Sequence, residues 1–230
     1  MSIVPFRKTE RQRRAPLDQA RIVRAALALL DDVGFDDLTM RRLAERLDVK
    51  AASLYRHVRN KDELLVLLAD EISGEIPLAP TSGTWQEQLT TVAHNVRRGL
   101  LAHRDAARVL ASTAPFGPRR LHHIESLLRI LRDAGLSGRD AARAAYHCNN
   151  FVTEFAADEA RFSAMATGTS RKKLVADARR YFKSLPVDQF PTIVELADDL
   201  TDNDQEGLFQ TGIDVWLRGI EALAKQAKRR

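Results

Sequence analysis

The stretch that decides the fold is Leu38 to Lys61, LTMRRLAERLDVKAASLYRHVRNK. Thr39 is an N-cap residue type, and Leu38 before it is placed to staple onto Leu43. Leu43, Ala44 and Leu47 share one face of the helix that follows. Asp48, Val49 and Lys50 interrupt the pattern and predict a tight turn. A second helix is expected from Ala51 to Val58, with Ala51, Leu54 and Val58 at i, i+3 and i+7, and therefore inward. Asn60 caps a third helix, and Glu63 completes a capping box there. The outer face of the second helix keeps Ala52, Ser53, Tyr55, Arg56 and His57, flanked by Lys50, Arg59 and Lys61. The stretch carries seven Lys or Arg against two acidic residues, Glu45 and Asp48, a local balance of +5 that equals the formal charge of the whole chain. Two short helices joined by a tight turn, with a basic outer face, form the pattern of a helix-turn-helix reading head for DNA. Such pairs also occur in all-α proteins that bind no DNA, so the pattern alone leaves that alternative open.

Outward from this stretch, the composition bounds the rest. The chain has 230 residues, 44% hydrophobic and 6% aromatic, which favours helices packed through Leu and Ala over a sheet. One Cys cannot form an internal disulfide, and a reducing cytoplasm is the expected compartment. No run of 18 apolar residues and no secretory pattern is present, so no membrane partner is expected. Residues 1–15 hold Arg7, Lys8, Arg11, Arg13 and Arg14 with little that is apolar. They read as a solvated basic arm, or as an arm that orders along phosphates. Residues 16–77 form the expected DNA-binding domain. Within it Asp18 caps a first helix carrying Ile22, Ala25, Ala26 and Leu29, ended by Gly34. Asn60 opens a longer helix that ends near Gly74, ahead of a linker marked by Pro77, Pro80, Ser82 and Gly83.

Residues 78–230 form the expected second domain. Thr84 and Glu87 make a capping box, and Trp85, Leu89, Val92 and Val96 give an amphipathic stripe. A short helix from about Asp105 to Thr113 precedes a PFGP loop. Leu121, Ile124, Leu128 and Leu131 mark the next helix. A long Ala-rich helix follows, with Ala141, Ala145, Cys148, Val152 and Phe155 along its seam. Residues 163–173 lack periodicity and predict a mobile loop. Helices are expected from Leu174 to Ser184, from Thr192 to Leu200, and finally along Phe209, Ile213, Trp216, Ile220 and Leu223. Gly212 and Gly219 lie beside that last seam and predict close approach of another helix.

The residues from Arg21 to about Leu68, including AALALLDDVGFDDLTMRRLAERLDV and SLYRHVRNKDELL, resemble the DNA-binding domain of the tetracycline-repressor (TetR) family of transcriptional regulators. TWQEQL and LLAHRDAARVLASTAP resemble the C-terminal part of the tetracycline repressors themselves. The resemblance implies an all-α fold: a three-helix helix-turn-helix domain, then a helical domain for effector binding and dimerisation. It implies a sequence-specific repressor, homodimeric on a palindromic operator, that a small molecule releases. A ligand-independent DNA-binding regulator or activator is the alternative. The 118–134 and 205–226 helices are expected to supply the dimer interface.

Side-chain chemistry and the resemblance together nominate the site. For DNA, Thr39 and Arg41 open the supporting helix, and the Arg41 fork suits guanine N7 and O6. Ala51, Ala52 and Tyr55 offer apolar contact to thymine methyls. Ser53, Tyr55, His57 and Lys61 suit phosphates; Tyr55, His57 and Lys61 are similar to the family's backbone-clamping residues. Lys50 flanks the helix, and Arg56 suits either a base or a phosphate. Tyr55 packing on the scaffold helix is the competing reading. In the effector domain the family's ring-contacting Asn and Phe fall on Val92 and Val96. Its magnesium-binding His falls on Leu110, the following Arg on Ala114 and a Gln on Ser126; only its Pro is kept, as Pro115. Leu110 cannot hold a metal, so tetracycline with magnesium is not the expected inducer, and a small hydrophobic effector is. His103, His147, Asn150 and Glu154 are the polar candidates to orient it, although for the last three a solvated helix face is an equal reading. No catalytic constellation, cofactor loop or metal motif is present, so neither enzyme activity, a cofactor nor a metal is expected. His122 and His123, adjacent on a helix, diverge too far to share one ion and read as surface or pocket-edge residues. Cys148 reads as a buried, inert thiol.

Overall fold

A computed structural model describes residues 16–165 and 169–227, all of them helix, turn or coil with no strand among them. The basic arm expected at residues 1–15 lies outside the described residues. The first helix, α1 (Gln19–Val33), is capped by Asp18, whose carboxylate accepts the Arg21 N–H at 2.7 Å. Gly34 ends it at φ +82, a backbone conformation that favours glycine. Next come α2 (Met40–Leu47), α3 (Ala51–Leu54) and α4 (Lys61–Glu75), the last capped by the Asn60 side chain. The expected second helix is shorter than its periodicity predicts, because residues 55–57 form a turn. Leu54 and Val58 are fully buried as expected, but Ala51 is exposed, since the helix begins at that residue and turns it outward.

Helix α4 is buried on more than one face, through Leu64, Leu65, Leu68, Ala69, Ile72 and Ser73. One side packs on α1. The other meets α6 (Ala106–Ala111) and α7 (Pro118–Asp133). The core of the reading head therefore runs on without a break into Leu100, Ala106, Ala107, Val109 and Leu110. A second core joins α5 (Trp85–Ala102), α7, α8 (Gly138–Met165) and α12 (Gln205–Ala227) around Leu89, Ile130, Leu131, Val152 and Phe209. Phe209 is the centre of its far end, stacked on Phe151 at 5.5 Å and tilted on Phe155 at 5.0 Å. Arg97 is buried beside these rings, 4.5 Å from the Phe209 centroid, with Glu159 at 2.8 Å and Glu206 at 2.6 Å.

Three expectations are corrected here. The aperiodic stretch 163–173 is largely helical: α8 runs to Met165 and α9 (Thr169–Lys183) begins four residues later, with residues 166–168 outside the described set. The end of α8 and the start of α9 escape periodicity because Ser, Thr, Arg and Lys give no apolar stripe there; the rest of α9 matches the helix expected from Leu174. The helix expected from Thr192 to Leu200 is two short ones, α10 (Pro191–Glu195) and α11 (Ala197–Leu200), broken at Leu196. Together α9, α10 and α11 pack mainly on one another.

The third correction concerns the expected dimer face. Phe209, Ile213 and Ile220 are buried within the protomer against α8 and α5, and a methyl at Gly212 would overlap the Phe151 ring of α8. The close approach expected at both glycines is found at Gly212, within the protomer, while among the described residues nothing comes within 4 Å of a methyl at Gly219. On α7, Leu127, Ile130 and Leu131 are likewise buried against α4, α5 and α8, so the 118–134 helix has little apolar surface left besides Leu121.

Candidate reading head and effector chamber

In the reading head Thr39 caps α2, its hydroxyl accepting the Arg42 N–H at 3.2 Å. Asp48 closes α2 in the left-handed region at φ +52, a conformation that Asp tolerates better than most side chains. That single residue makes the turn short enough to lay α3 across α2. Lys50, Ala51, Ala52, Tyr55, Arg56 and His57 are all exposed around α3, and Ser53 is half-buried. Tyr55 keeps 50% of its surface open. Arg41 is exposed and, among the described residues, pairs with Glu45 alone at 3.4 Å, an exposed pair that holds it weakly. Lys61 is set apart from this row: its Nζ donates to the Phe35 carbonyl at 3.4 Å and lies 5.1 Å from that ring's centroid. The loop after α1 thus fixes where this cation sits.

A polar joint ties the head to the helices behind it. His103, at the C-terminus of α5, pairs through Nδ1 with Asp31 of α1 at 3.0 Å and through Nε2 with Glu75 of α4 at 2.7 Å. Burial works against its charged form, but the hydrogen bonds to Glu75 and Asp31 outweigh it and raise its pKa. Asp105 accepts the Phe35 N–H at 2.8 Å, and Arg108 grips Asp36 with both Nη atoms at 2.8 and 3.0 Å. A second tie joins α4 to the start of α7. Asp70 accepts the N–H groups of Arg119 and Arg120 at 2.9 and 3.0 Å, an acidic side chain at a helix N-terminus, and Glu71 pairs with Arg119.

Between these helices lies a chamber of about 470 Å³. Its wall is apolar along Val92, Val96, Leu110, Ile124, Leu127 and Leu128, with Ser73 of α4 and the capping Ile76 after it closing one side. Arg120, His123, Tyr146, Asn149 and Asn150 supply its polar groups. A polar recess of about 330 Å³ adjoins it, sharing Leu110, Arg120, Asn149 and Asn150 and adding Thr113, Thr153 and Glu154. Another recess, of about 450 Å³, lies between the start of α8 and the end of α12 and is lined by Arg139, Asp140, Arg143 and Gln226. Its charged lining suits water rather than an apolar molecule, so the chamber is the better candidate.

Residues 22–68 match the family model for bacterial regulatory proteins of the tetR family, and residues 76–224 match that for the tetracyclin repressor-like C-terminal domain. The chain belongs to the TetR family. Among curated TetR relatives, the class D tetracycline repressor of Escherichia coli is 30% identical over 211 residues, 90% of each chain. The class A repressor from transposon 1721 is 43% identical over 128 residues, 54% of this chain and 58% of that repressor. The chain thus spans about three fifths of the first curated relatives that it matches. Among solved structures, the TetR family protein ActR of Streptomyces coelicolor in complex with actinorhodin superposes with a TM-score of 0.83 at 38% identity, covering 90% of this chain and 97% of that one.

Within this TetR architecture the residues nominated for a ligand divide into three groups. Val92, Val96, Leu110, Pro115 and Asn150 border the chamber, and Glu154 borders the adjoining recess. His147 borders neither and is exposed, its ring edge-on to Tyr146. His103 is a correction: at the end of α5 it is drawn to Asp31 and Glu75 and belongs to the joint. Sequence reasoning missed Arg120, Tyr146 and Asn149 and placed Ile124 and Leu128 on a dimer seam. The signal was available in α7. Its apolar positions spread over two edges, Leu127, Ile130 and Leu131 on one and Ile124 and Leu128 on the other, which is wider than one packing contact needs. His123 is at the pocket edge, bonded to the Ser73 carbonyl at 2.9 Å. Cys148 is buried, and burial pushes its thiol up to about 12, so it stays protonated and unreactive.

Proposed function

We propose that the chain is a sequence-specific DNA-binding repressor, acting as a homodimer on a palindromic operator and released when a small, largely apolar molecule fills the chamber. The observation that carries this reading is α4. Its first residue, Lys61, belongs to the reading head, and its last turns, at Ser73 and Ile76, wall the chamber. A ligand that favours one position of that wall acts on the helix that carries the head, and so on the spacing of two heads along the major groove. ActR, similar over nine tenths of this chain, was solved in complex with actinorhodin, which supports a small-molecule ligand here. Thr39, Arg41, Lys50, Ala51, Ala52, Ser53, Tyr55, Arg56, His57 and Lys61 are the DNA-contacting set, with Arg41 reading a base and Lys61 clamping a phosphate. The buried α7 seam removes one half of the dimer face expected from the sequence. The exposed row Leu208, Val215 and Leu223 on α12, whose Leu223 lies beside the first turns of α8, takes its place. Such a protein works in the cytoplasm and performs no catalysis.

Selection of bound DNA from a random pool tests the reading. A palindromic site with two half-sites one or more helical turns apart is expected, bound by a dimer in sedimentation. No enrichment of any sequence, or a monomer at micromolar concentration, would overturn it.

A further inference from the structure

One polar group on the chamber wall has no counterpart in a purely apolar ligand. Arg120 borders both the chamber and the recess beside it. Its Nη1 donates to the Thr113 hydroxyl at 2.7 Å and the Thr113 carbonyl at 3.2 Å, and its Nη2 donates to the Leu110 carbonyl at 2.8 Å. Every one of these acceptors is neutral, and among the described residues Arg120 forms no ion pair. Asp70 accepts only the backbone N–H of Arg120. Burial accordingly lowers the pKa of the guanidinium, with the field of Asp70 opposing the shift. An arginine stays charged at any pH at which a protein is folded, so the cost of its burial persists as a demand for an anion.

Arg97 is the control within the same molecule. Arg97 is buried where Arg120 is half-buried, and it is met by two carboxylates, Glu159 at 2.8 Å and Glu206 at 2.6 Å. Where the surroundings of a buried arginine are fixed, this fold provides counter-ions. On the chamber wall no carboxylate meets the Arg120 guanidinium among the described residues, and Asp70 acts on it only through its field.

Resting on the chamber as the effector site, we infer that its ligand is an amphipathic carboxylic acid, whose carboxylate is bound by Arg120 while a flat apolar body lies along Val92, Val96, Ile124 and Leu128. The planar guanidinium fork matches a carboxylate in two parallel hydrogen bonds and in shape. Asn149 and Asn150 border the same corner and add amide donors. Glu154 borders the recess and not the chamber, so an anion meets less repulsion on the chamber side. Because Arg120 follows Arg119 at the point where α7 is tied to Asp70 and Glu71 of α4, capture of the carboxylate acts at the joint through which α4 is held.

The test uses the full chain and two matched compounds, anthracene-9-carboxylic acid and its primary amide, titrated by calorimetry. In the unmodified protein the acid is expected to bind at least about tenfold more tightly than the amide, the span of one charged hydrogen bond. Arg120→Gln should bring the acid down to the affinity of the amide and leave the amide within about threefold, which also reports that the variant is folded. Glu154→Gln should tighten the acid alone. Ala145→Phe, which fills the chamber from α8, should weaken both compounds together. Equal binding of acid and amide to the unmodified protein, both weakened by Ala145→Phe, would overturn the carboxylate assignment and leave the chamber as the site. Binding that ignores Ala145→Phe, or no binding of either compound at millimolar concentration, would overturn the chamber itself.

Discussion

The reading head is made from one uninterrupted stretch, Leu38 to Lys61, whereas the chamber takes its wall from Ser73 to Val152 across five helices. In the head most placements are made within a turn or two: Thr39 by Arg42, the Asp48 backbone by Ala44 and Glu45, Asn60 by Glu63, with Lys61 on Phe35 the distant exception. In the chamber Arg120 is placed by Thr113 and Leu110, and His123 by Ser73, fifty residues away. A head assembled from local rules keeps its shape wherever it is carried. A chamber assembled from distant ones changes character with each substitution on any wall. That difference lets one kind of DNA-binding unit serve many ligands.

The largest expected effect breaks the support of the chamber and leaves the head alone. Phe209→Ala removes a fully buried ring that touches Phe151, Phe155 and Arg97. It should cost about 3–5 kcal/mol in urea unfolding, while operator affinity well below the midpoint stays within about twofold. A cost below about 1 kcal/mol would mean that α12 does not brace the second core.

Next in size, Arg41→Ala should reduce operator affinity by about 1–3 kcal/mol per half-site and relax base choice at one position. Stability should move by less than about 0.5 kcal/mol, because the side chain is exposed and weakly paired. Equal weakening on all sequences would reassign Arg41 to the phosphates.

A smaller effect lies at the joint between the two regions. The pKa of His103 is raised by Glu75 and Asp31 against the opposition of burial, so its contribution is fully present below the ordinary histidine value near 6.5 and is lost as pH rises through the raised one. The unmodified protein should therefore exceed His103→Gln by about 1 kcal/mol at pH 6, a gap that narrows towards pH 9. A gap constant across that range would remove the imidazolium from the account.

The smallest expected effect is none. Tetracycline with magnesium should leave the operator complex intact in a band-shift titration to high micromolar drug. Leu110 lines the chamber where the resemblance places the metal ligand, and its side chain has no donor for a hard cation. Release at nanomolar drug would contradict that correspondence.

How much of this was legible from the sequence follows the same division. Caps, turn and inward residues of the head are readable because each signal lies within four residues of its partner. Ala51 and the length of α3 are not, since the end of a short helix is decided by its docking on α2. Nor is the expected capping box complete: Glu63 accepts the Arg59 N–H in place of the Asn60 N–H that a full box needs. The apolar seams of α7 and α12 were readable as seams, but periodicity does not say whether a stripe faces its own protomer or another. Ile213 and Ile124 were therefore assigned to a partner and are found inside. His103 was drawn towards the ligand by its place after the α5 stripe, although the carboxylates that hold it lie 72 and 28 residues earlier. Arg120 gives no signal at all, because one of two adjacent arginines at a helix start looks like surface until the recess around it is seen.

Arg97 also decides how the molecule comes apart. Its charge is balanced by one carboxylate from α8 and one from α12, and Phe209 of α12 lies 4.5 Å from it. Peeling α12 away removes an anion and a ring from a cation that cannot discard its proton, so partial detachment is worse than either extreme. The last helix is thus welded to α5 and α8 as one cooperative block. Protease nicking within 201–205, or truncation there, should release the whole second core at once instead of fraying the chain from its end.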